Sequence, residues 1–541
     1  MIAGETAAPP AANEPIQAYA PGSAERASLE RRVRELEADT AEVRNVIAGE
    51  RVAGESTFVR LAPHRHDLKL AEVHVAGEAD IRRAIDASLA AASEWAAMPH
   101  ADRQAIFLKA AELIAGPWRD TINAATILGQ GKSVHQSEIE AVAELCDFLR
   151  FNSAFSEQIL ADQPLSPDGV WNMVDYRPLE GFVLAVTPFN FTAIAGNLPT
   201  APALMGNVVL WKPSGKQALA AHYTMQVLEE AGLPPGVINL LHSSGRTTAD
   251  IATSHRSFAG LHFTGSMEAF QGIYRTVGER IDRYDTFPRI VGETGGKDFV
   301  VAHPSAEVEP LVVALGRGAF EYQGQKCSAA SRAYIPASLW PQVRDGLVDM
   351  VQSLTIGDVG DLSTFMGAVI DDGAFAKHRD ALEQAHADPA IEVLVGGGTN
   401  DEQGWFVDPT VLVTSDPKHD LMQRELFGPI LTVFVYDDAR WSETLELCDA
   451  TSPYALTGSV FARDRDAVRE ASATLRQAAG NFYINDKPTG SVVGQQPFGG
   501  ARGSGTNDKA GSMWNLIRWA SPRAVKENFV PPTDWRYPHM G

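Results

Sequence analysis

Phe182-Val183-Leu184-Ala185-Val186 is a short apolar run, stopped at once by Thr187-Pro188-Phe189-Asn190-Phe191. It reads as a strand, and runs of the same kind recur at Val208–Lys212, Val237–Leu241, Gly260–Phe263 and Ile290–Gly292 with helical patterns between them. That alternation implies parallel strands joined by helical crossovers. A second α/β series extends from Asp298 to about Ala479 and contains Phe299-Val300-Val301, Ala333-Tyr334-Ile335 and Leu431–Val435. The expectation is two α/β domains.

Upstream, residues 1–24 are rich in alanine, proline and glycine and are expected to be extended or partly disordered until they pack on something. A helix capped by Ser28 is expected next, with Leu29, Val33, Leu36 and Val43 on one face. From Ala71 to Phe155 the pattern is mostly helical, with Ile81, Ile85, Leu89 and Trp95 as buried positions. Val170–Tyr176 and Arg523–Val530 are strand-like and are expected to form an arm that pairs with another subunit.

Composition excludes several functions. The 68 acidic residues outnumber the 46 basic ones, and a net charge of −22 opposes binding to nucleic acid. Apolar runs are too short to span a membrane. Three cysteines in 541 residues cannot build a disulfide framework, and nothing near residue 1 has the order of a signal peptide, so a cytosolic, reducing compartment is expected. No cluster of metal ligands stands out.

The cysteines differ in setting. Cys146 and Cys448 lie in helical patterns and read as packing residues, whereas Cys327 lies in Gln323-Gly324-Gln325-Lys326-Cys327-Ser328. A nucleophilic thiol needs surroundings that favour its anion, and Ser328-Ala329-Ala330-Ser331-Arg332 is expected to open a helix whose dipole does this. Glu293, in Val291-Gly292-Glu293-Thr294-Gly295-Gly296-Lys297, is a carboxylate that glycines leave unobstructed at a strand end. Asn190 offers an amide to a developing oxyanion. A Gly-x-Gly-x-x-Gly dinucleotide fingerprint is missing. Instead, Leu261-His262-Phe263 runs through Thr264-Gly265-Ser266 into a helical pattern, where free N–H groups can hold a phosphate. Leu210-Trp211-Lys212-Pro213-Ser214 puts a cation and a hydroxyl at another strand end.

In this order, Pro-Phe-Asn-Phe at 188–191, Trp-Lys-Pro-Ser at 211–214, Phe-Thr-Gly-Ser at 263–266, Gly-Glu-Thr-Gly-Gly-Lys at 292–297, Gly-Gln-Lys-Cys at 324–327 and Glu-Leu-Phe-Gly-Pro at 425–429 resemble the aldehyde dehydrogenase superfamily. The resemblance implies an α/β fold with a Rossmann-type NAD-binding domain (residues 1–164 and 182–292), an α/β catalytic domain (293–505) and a β oligomerisation arm (165–181 and 506–541). It implies Cys327 as nucleophile, Glu293 as general base and Asn190, with the Cys327 N–H, as oxyanion donor. NAD would meet Phe189, Lys212, Ser214, Gly265, Ser266, Met267, Glu268, Ala269, Glu425 and Phe427. Gly215 departs from the glutamate that many NAD-preferring relatives carry there.

A narrower match, through residues 188–194, 206–214 and 489–500, is to the branch of the family that oxidises L-glutamate γ-semialdehyde to L-glutamate in proline breakdown. Its substrate bears a carboxylate, for which Thr489-Gly490-Ser491 offers successive N–H groups and a hydroxyl. The resemblance then implies Gly490, Ser491 and Ser328 as polar contacts, with Phe189 and Phe498 packing the aliphatic stem. Another carboxylated aldehyde, such as succinate semialdehyde, is the alternative. A homodimer or larger homo-oligomer and a separate proline dehydrogenase as supplier of substrate are the implied partners.

Overall fold

The computed structural model describes residues 7–541. One seven-stranded sheet has the order Arg289–Glu293, Phe258–Thr264, Phe182–Thr187, Val208–Pro213, Ile238–Leu240, Asn45–Ile47, Glu50–Val52. The first five are parallel and the last two are added antiparallel. Phe182, Val183, Leu184 and Ala185 are wholly buried, as strands covered by helices on both faces must be. Chain order reverses between Phe182–Thr187 and Phe258–Thr264. The crevice beyond the carboxyl ends of strands at such a reversal is where open α/β sheets bind ligands.

The second seven-stranded sheet runs Ile391–Val395, Thr410–Thr414, Ile430–Tyr436, Ala330–Pro336, Asp298–Ala302, Thr457–Phe461, Asn481–Ile484, with only Ile391–Val395 antiparallel. Residues 294–297 link the last strand of the first sheet, Arg289–Glu293, to Asp298–Ala302. The chain thus leaves a carboxyl edge and immediately enters an amino edge, which sets the two edges against each other. Each sheet has its own core: Leu184, Leu210, Trp211 and Leu261 in the first, and Val300, Ile335, Leu431 and Val433 in the second.

The two α/β series therefore stand, but local details differ. Ser23, not Ser28, caps the first helix, Ala24–Ala38; its side chain accepts from the Arg26 N–H, while Ser28 donates to Asp120 at 2.6 Å from within the helix. Leu29, Val33 and Leu36 are buried on that helix, but Val43 belongs to the strand Ala41–Val43. Ala71 lies in the strand Arg65–Val75, so the helical region starts at Glu78. Val170–Arg177 pairs antiparallel with Ser521–Asn528 along its whole length, an arm formed within one chain. Of the alanine- and proline-rich start, residues 1–6 lie outside the described residues; residues 7–22 run irregularly, mostly exposed but anchored by the buried Tyr19.

Candidate active site

Three strand ends of the first sheet deliver the polar groups. Asn190 follows Phe182–Thr187, is buried, and donates through Nδ2 to the Gln325 carbonyl at 3.0 Å, which ties it to the loop that carries Cys327. Its second amide hydrogen stays available. Glu293 ends the edge strand, and its Oε2 accepts from the Gly500 N–H at 2.8 Å. Burial raises its pKa well above the usual carboxylate value, and the Gly500 N–H only partly offsets that. Gly265 and Ser266 follow Phe258–Thr264, and Ser266 caps the helix Met267–Glu279 by accepting from Ala269 N.

Cys327 comes from the second sheet. Tyr322, Gln323 and Gly324 have φ of 51°, 54° and 64°, a left-handed run that reverses the chain just before the thiol. At Gly324 a Cβ would stand 2.2 Å from the Gly428 carbonyl, so glycine is required there. The expected helix after Cys327 is absent: Ala330–Pro336 is a central strand, and no helix dipole serves the thiol. Burial, then the carboxyl groups of Asp298, Glu425 and Glu293, push its pKa up, while its own backbone N–H favours the anion. Cys146 and Cys448 are fully buried in helices, as packing residues.

Cys327 opens on a cavity of about 370 Å³ whose lining includes Ser328, Gly490, Ser491 and Phe498. Ser328 Oγ and Thr489 Oγ1 are 2.8 Å apart, so the residue after the nucleophile is fastened to the turn proposed to hold a carboxylate. Gly490 has φ 98°, a conformation that suits glycine. Phe189 is not in this lining. It packs edge-on against Phe427 with ring centroids 5.8 Å apart and Lys216 5.4 Å from its centroid; Phe191, two residues on, faces the cavity instead.

The sequence reading missed the opposite wall. Residues Glu138–Glu144 form a π-helical turn, a widened geometry frequent at functional sites, and it brings both Glu140 and Glu144 to the cavity. Glu140 is satisfied: Lys132 donates to it, and so does the Ala193 N–H at 3.2 Å, in the first turn of the helix Thr192–Leu204. The Lys132 ammonium sits between the Phe191 and Tyr322 rings, 4.4 and 4.5 Å from their centroids. No side-chain or backbone donor among the described residues bonds Glu144. Burial and the charge of Glu140 raise its pKa to about 8. Lys326 also lines the cavity and donates to Glu321, which Lys487 reaches at 2.7 Å.

The remaining residues fit a dinucleotide. The Lys212 side chain is half-buried, its ammonium has no hydrogen-bond partner among the described residues, and desolvation lowers its pKa to about 8. Ser214 caps the short turn Gly215–Gln217. The first-turn N–H groups of Met267 and Glu268 face the sheet's carboxyl edge, beyond Gly265. Glu425 Oε1 accepts from the Gly296 N–H at 2.8 Å, and a Cβ at Gly295 would stand 2.2 Å from Glu425 Oε2. A Cβ at Gly215 would stand 3.1 Å from the Phe58 ring, so an aromatic fills the space beside this position.

The aldehyde dehydrogenase family model matches residues 52–525. The crystal structure of the Delta-pyrroline-5-carboxylate dehydrogenase from Mycobacterium tuberculosis bound with NAD is 54% identical, with 100% of both chains covered and a TM-score of 0.97. The mitochondrial Delta-1-pyrroline-5-carboxylate dehydrogenase of Danio rerio is 48% identical over 529 residues, 98% of this chain and 95% of that one. Proline utilization A from Bdellovibrio bacteriovorus is 27% identical with a TM-score of 0.91, covering 97% of this chain but 54% of that one. The mitochondrial designation of the Danio rerio relative corrects the cytosolic expectation. A dearth of disulfides marks any reducing compartment and does not tell one from another.

Proposed function

This chain belongs to the aldehyde dehydrogenase family, and from that premise we propose that it oxidises L-glutamate γ-semialdehyde, formed from 1-pyrroline-5-carboxylate, to L-glutamate with NAD, the second step of proline catabolism. One observation carries the substrate: a single cavity holds the Cys327 thiol, an anion-binding turn at Gly490-Ser491, and the half-buried carboxyl of Glu144 with no protein partner among the described residues. The semialdehyde carries one carboxylate and one ammonium. Succinate semialdehyde lacks the ammonium and leaves Glu144 unpaired, which argues against the alternative.

In this reading the first sheet is the cofactor-binding unit and the second the catalytic one. The turn at Gly490-Ser491, with Ser328, holds the α-carboxylate, and Glu144 takes the α-ammonium, while Phe191 and Phe498 enclose the stem. That arrangement leaves the aldehyde carbon at Cys327. As the C–S bond forms the thiol proton passes to solvent water, and the new oxyanion is received by the second Asn190 amide hydrogen and the Cys327 N–H. Lys212, Ser214, the Gly265-Ser266 turn with the helix start at Met267, and Glu425 hold NAD. When bound, NAD accepts a hydride, leaving a thioester on Cys327. Glu293 then takes a proton from water as that water attacks the thioester, and the burial that raises its pKa makes its carboxylate a stronger base.

The Val170–Arg177 and Ser521–Asn528 arm, with Trp171, Phe529 and Val530 exposed, is assigned to self-association, and a separate proline-oxidising enzyme to supplying the substrate. The test of function is direct. Purified protein given 1-pyrroline-5-carboxylate should reduce NAD, with a higher kcat/KM than on succinate semialdehyde; equal or better turnover of succinate semialdehyde overturns the substrate assignment.

A further inference from the structure

Residues 7–22 lie as a strap across the cavity mouth, with Asn13, Glu14 and Ile16 in its lining, and the mechanism above uses none of them. We propose that Asn13 is a positioning residue for the carboxylate-binding turn, so that preference for a carboxylated aldehyde depends on a strap residue 480 positions from the loop it braces. The inference rests on the reading of Gly490-Ser491 as the carboxylate anchor.

The geometry is specific. Asn13 Nδ2 donates both to Asp147 Oδ2 and to the Val493 carbonyl, each at 2.8 Å, and its Oδ1 accepts from Gln495 Nε2 at 3.0 Å. The amide is thereby spent on joining the Leu145–Ala161 helix to the loop just beyond Ser491. On the other flank the loop is held by the Thr489 to Ser328 hydrogen bond. Between these two fastenings, a Cβ built on Gly490 would meet only the Lys487 side chain, no closer than 3.7 Å, so close packing does not hold the turn in place. Its shape depends on its flanks.

The strap is itself clamped. The Glu14 N–H donates to Asp147 Oδ1 at 2.7 Å, and its carboxylate is gripped by Arg119 and Arg150, each at 2.7 Å. Arg119 also pairs with Glu138, and Glu138 accepts from the Gln17 N–H at 2.9 Å and the Tyr19 hydroxyl at 3.0 Å. Glu138 begins the π-helical turn that carries Glu144. One segment therefore fixes the spacing between the carboxylate site and the ammonium site, which a substrate bearing both charges requires.

The experiment compares wild type with Asn13→Ala on L-glutamate γ-semialdehyde and on propanal. The KM for the semialdehyde should rise about five- to tenfold in the variant, the loss of one or two net hydrogen bonds, while kcat and the constants for propanal and NAD change less than about twofold. Asn13→Asp, which keeps the size but loses the donor, should match Asn13→Ala. If Asn13→Ala does not fold, Gln495→Ala removes the loop's own donor to the strap and carries the same prediction. An unchanged semialdehyde KM, or an equal rise for propanal, overturns the proposal. A wild type with no preference for the carboxylated aldehyde defeats the anchor reading, and this inference with it; a preference undiminished in Asn13→Ala defeats this inference alone.

Discussion

The crevice at the carboxyl edge of the first sheet and the cavity on the far side of Cys327 are built differently. Asn190, Lys212, Gly265 and Glu293 sit at or just beyond strand ends, so the sheet itself fixes their positions. The cavity is gathered from the strap, a π-helical turn, the start of the Thr192–Leu204 helix, the Cys327 loop and residues 487–498, and is held together by side-chain clamps. The difference assigns labour. On that reading Asn190 and Glu293, on the sheet edge, touch the reacting atoms and should govern kcat, whereas groups on the clamped wall distinguish one aldehyde from another and should govern KM.

Substitutions on the two sides can break or sharpen that division. The largest effect belongs to the sheet edge: Asn190→Ala should lower kcat by about 10²–10³ with little change in KM, read by steady-state NAD reduction. A loss confined to KM would erase the distinction. On the cavity wall, Glu144→Gln keeps the shape and removes the carboxyl that an incoming ammonium would ionise and pair with, so KM for L-glutamate γ-semialdehyde should rise about ten- to a hundredfold. Succinate semialdehyde should be affected only a few-fold; equal losses on both would remove Glu144 from ammonium recognition. The smallest effect is Ser491→Ala, about fivefold in KM for carboxylated aldehydes and less for propanal, and equal effects would count against the anchor turn.

The same division decides what the amino-acid sequence discloses. Strand ends are punctuated by glycine and proline, so Asn190, Glu293 and Cys327 stand out from their neighbours, as do Lys212 and Gly265. Glu144 does not, because it follows Ile139-Glu140-Ala141-Val142-Ala143 in a run that reads as an ordinary helix, and the widening that turns it inward arises from packing against other segments. The strap reads as disorder because what fastens it, Arg119, Glu138 and Asp147, lies more than a hundred residues away. Helix propensity in Ser328-Ala329-Ala330-Ser331-Arg332 yields to a central place in a seven-stranded sheet, where Arg332 is buried and donates to the Lys297 and Cys448 carbonyls. Phe189 and Phe191 are separated only by which side of the Asn190 loop each faces, and local sequence has no signal for that.

In the proposed reaction the aldehyde becomes covalently attached to Cys327. Peptide mapping of wild-type protein quenched during turnover of L-glutamate γ-semialdehyde with NAD should find a glutamyl thioester on the peptide containing Cys327 and none on those containing Cys146 or Cys448. Turnover with no adduct on Cys327 in the wild type, together with full activity in Cys327→Ala, would contradict it.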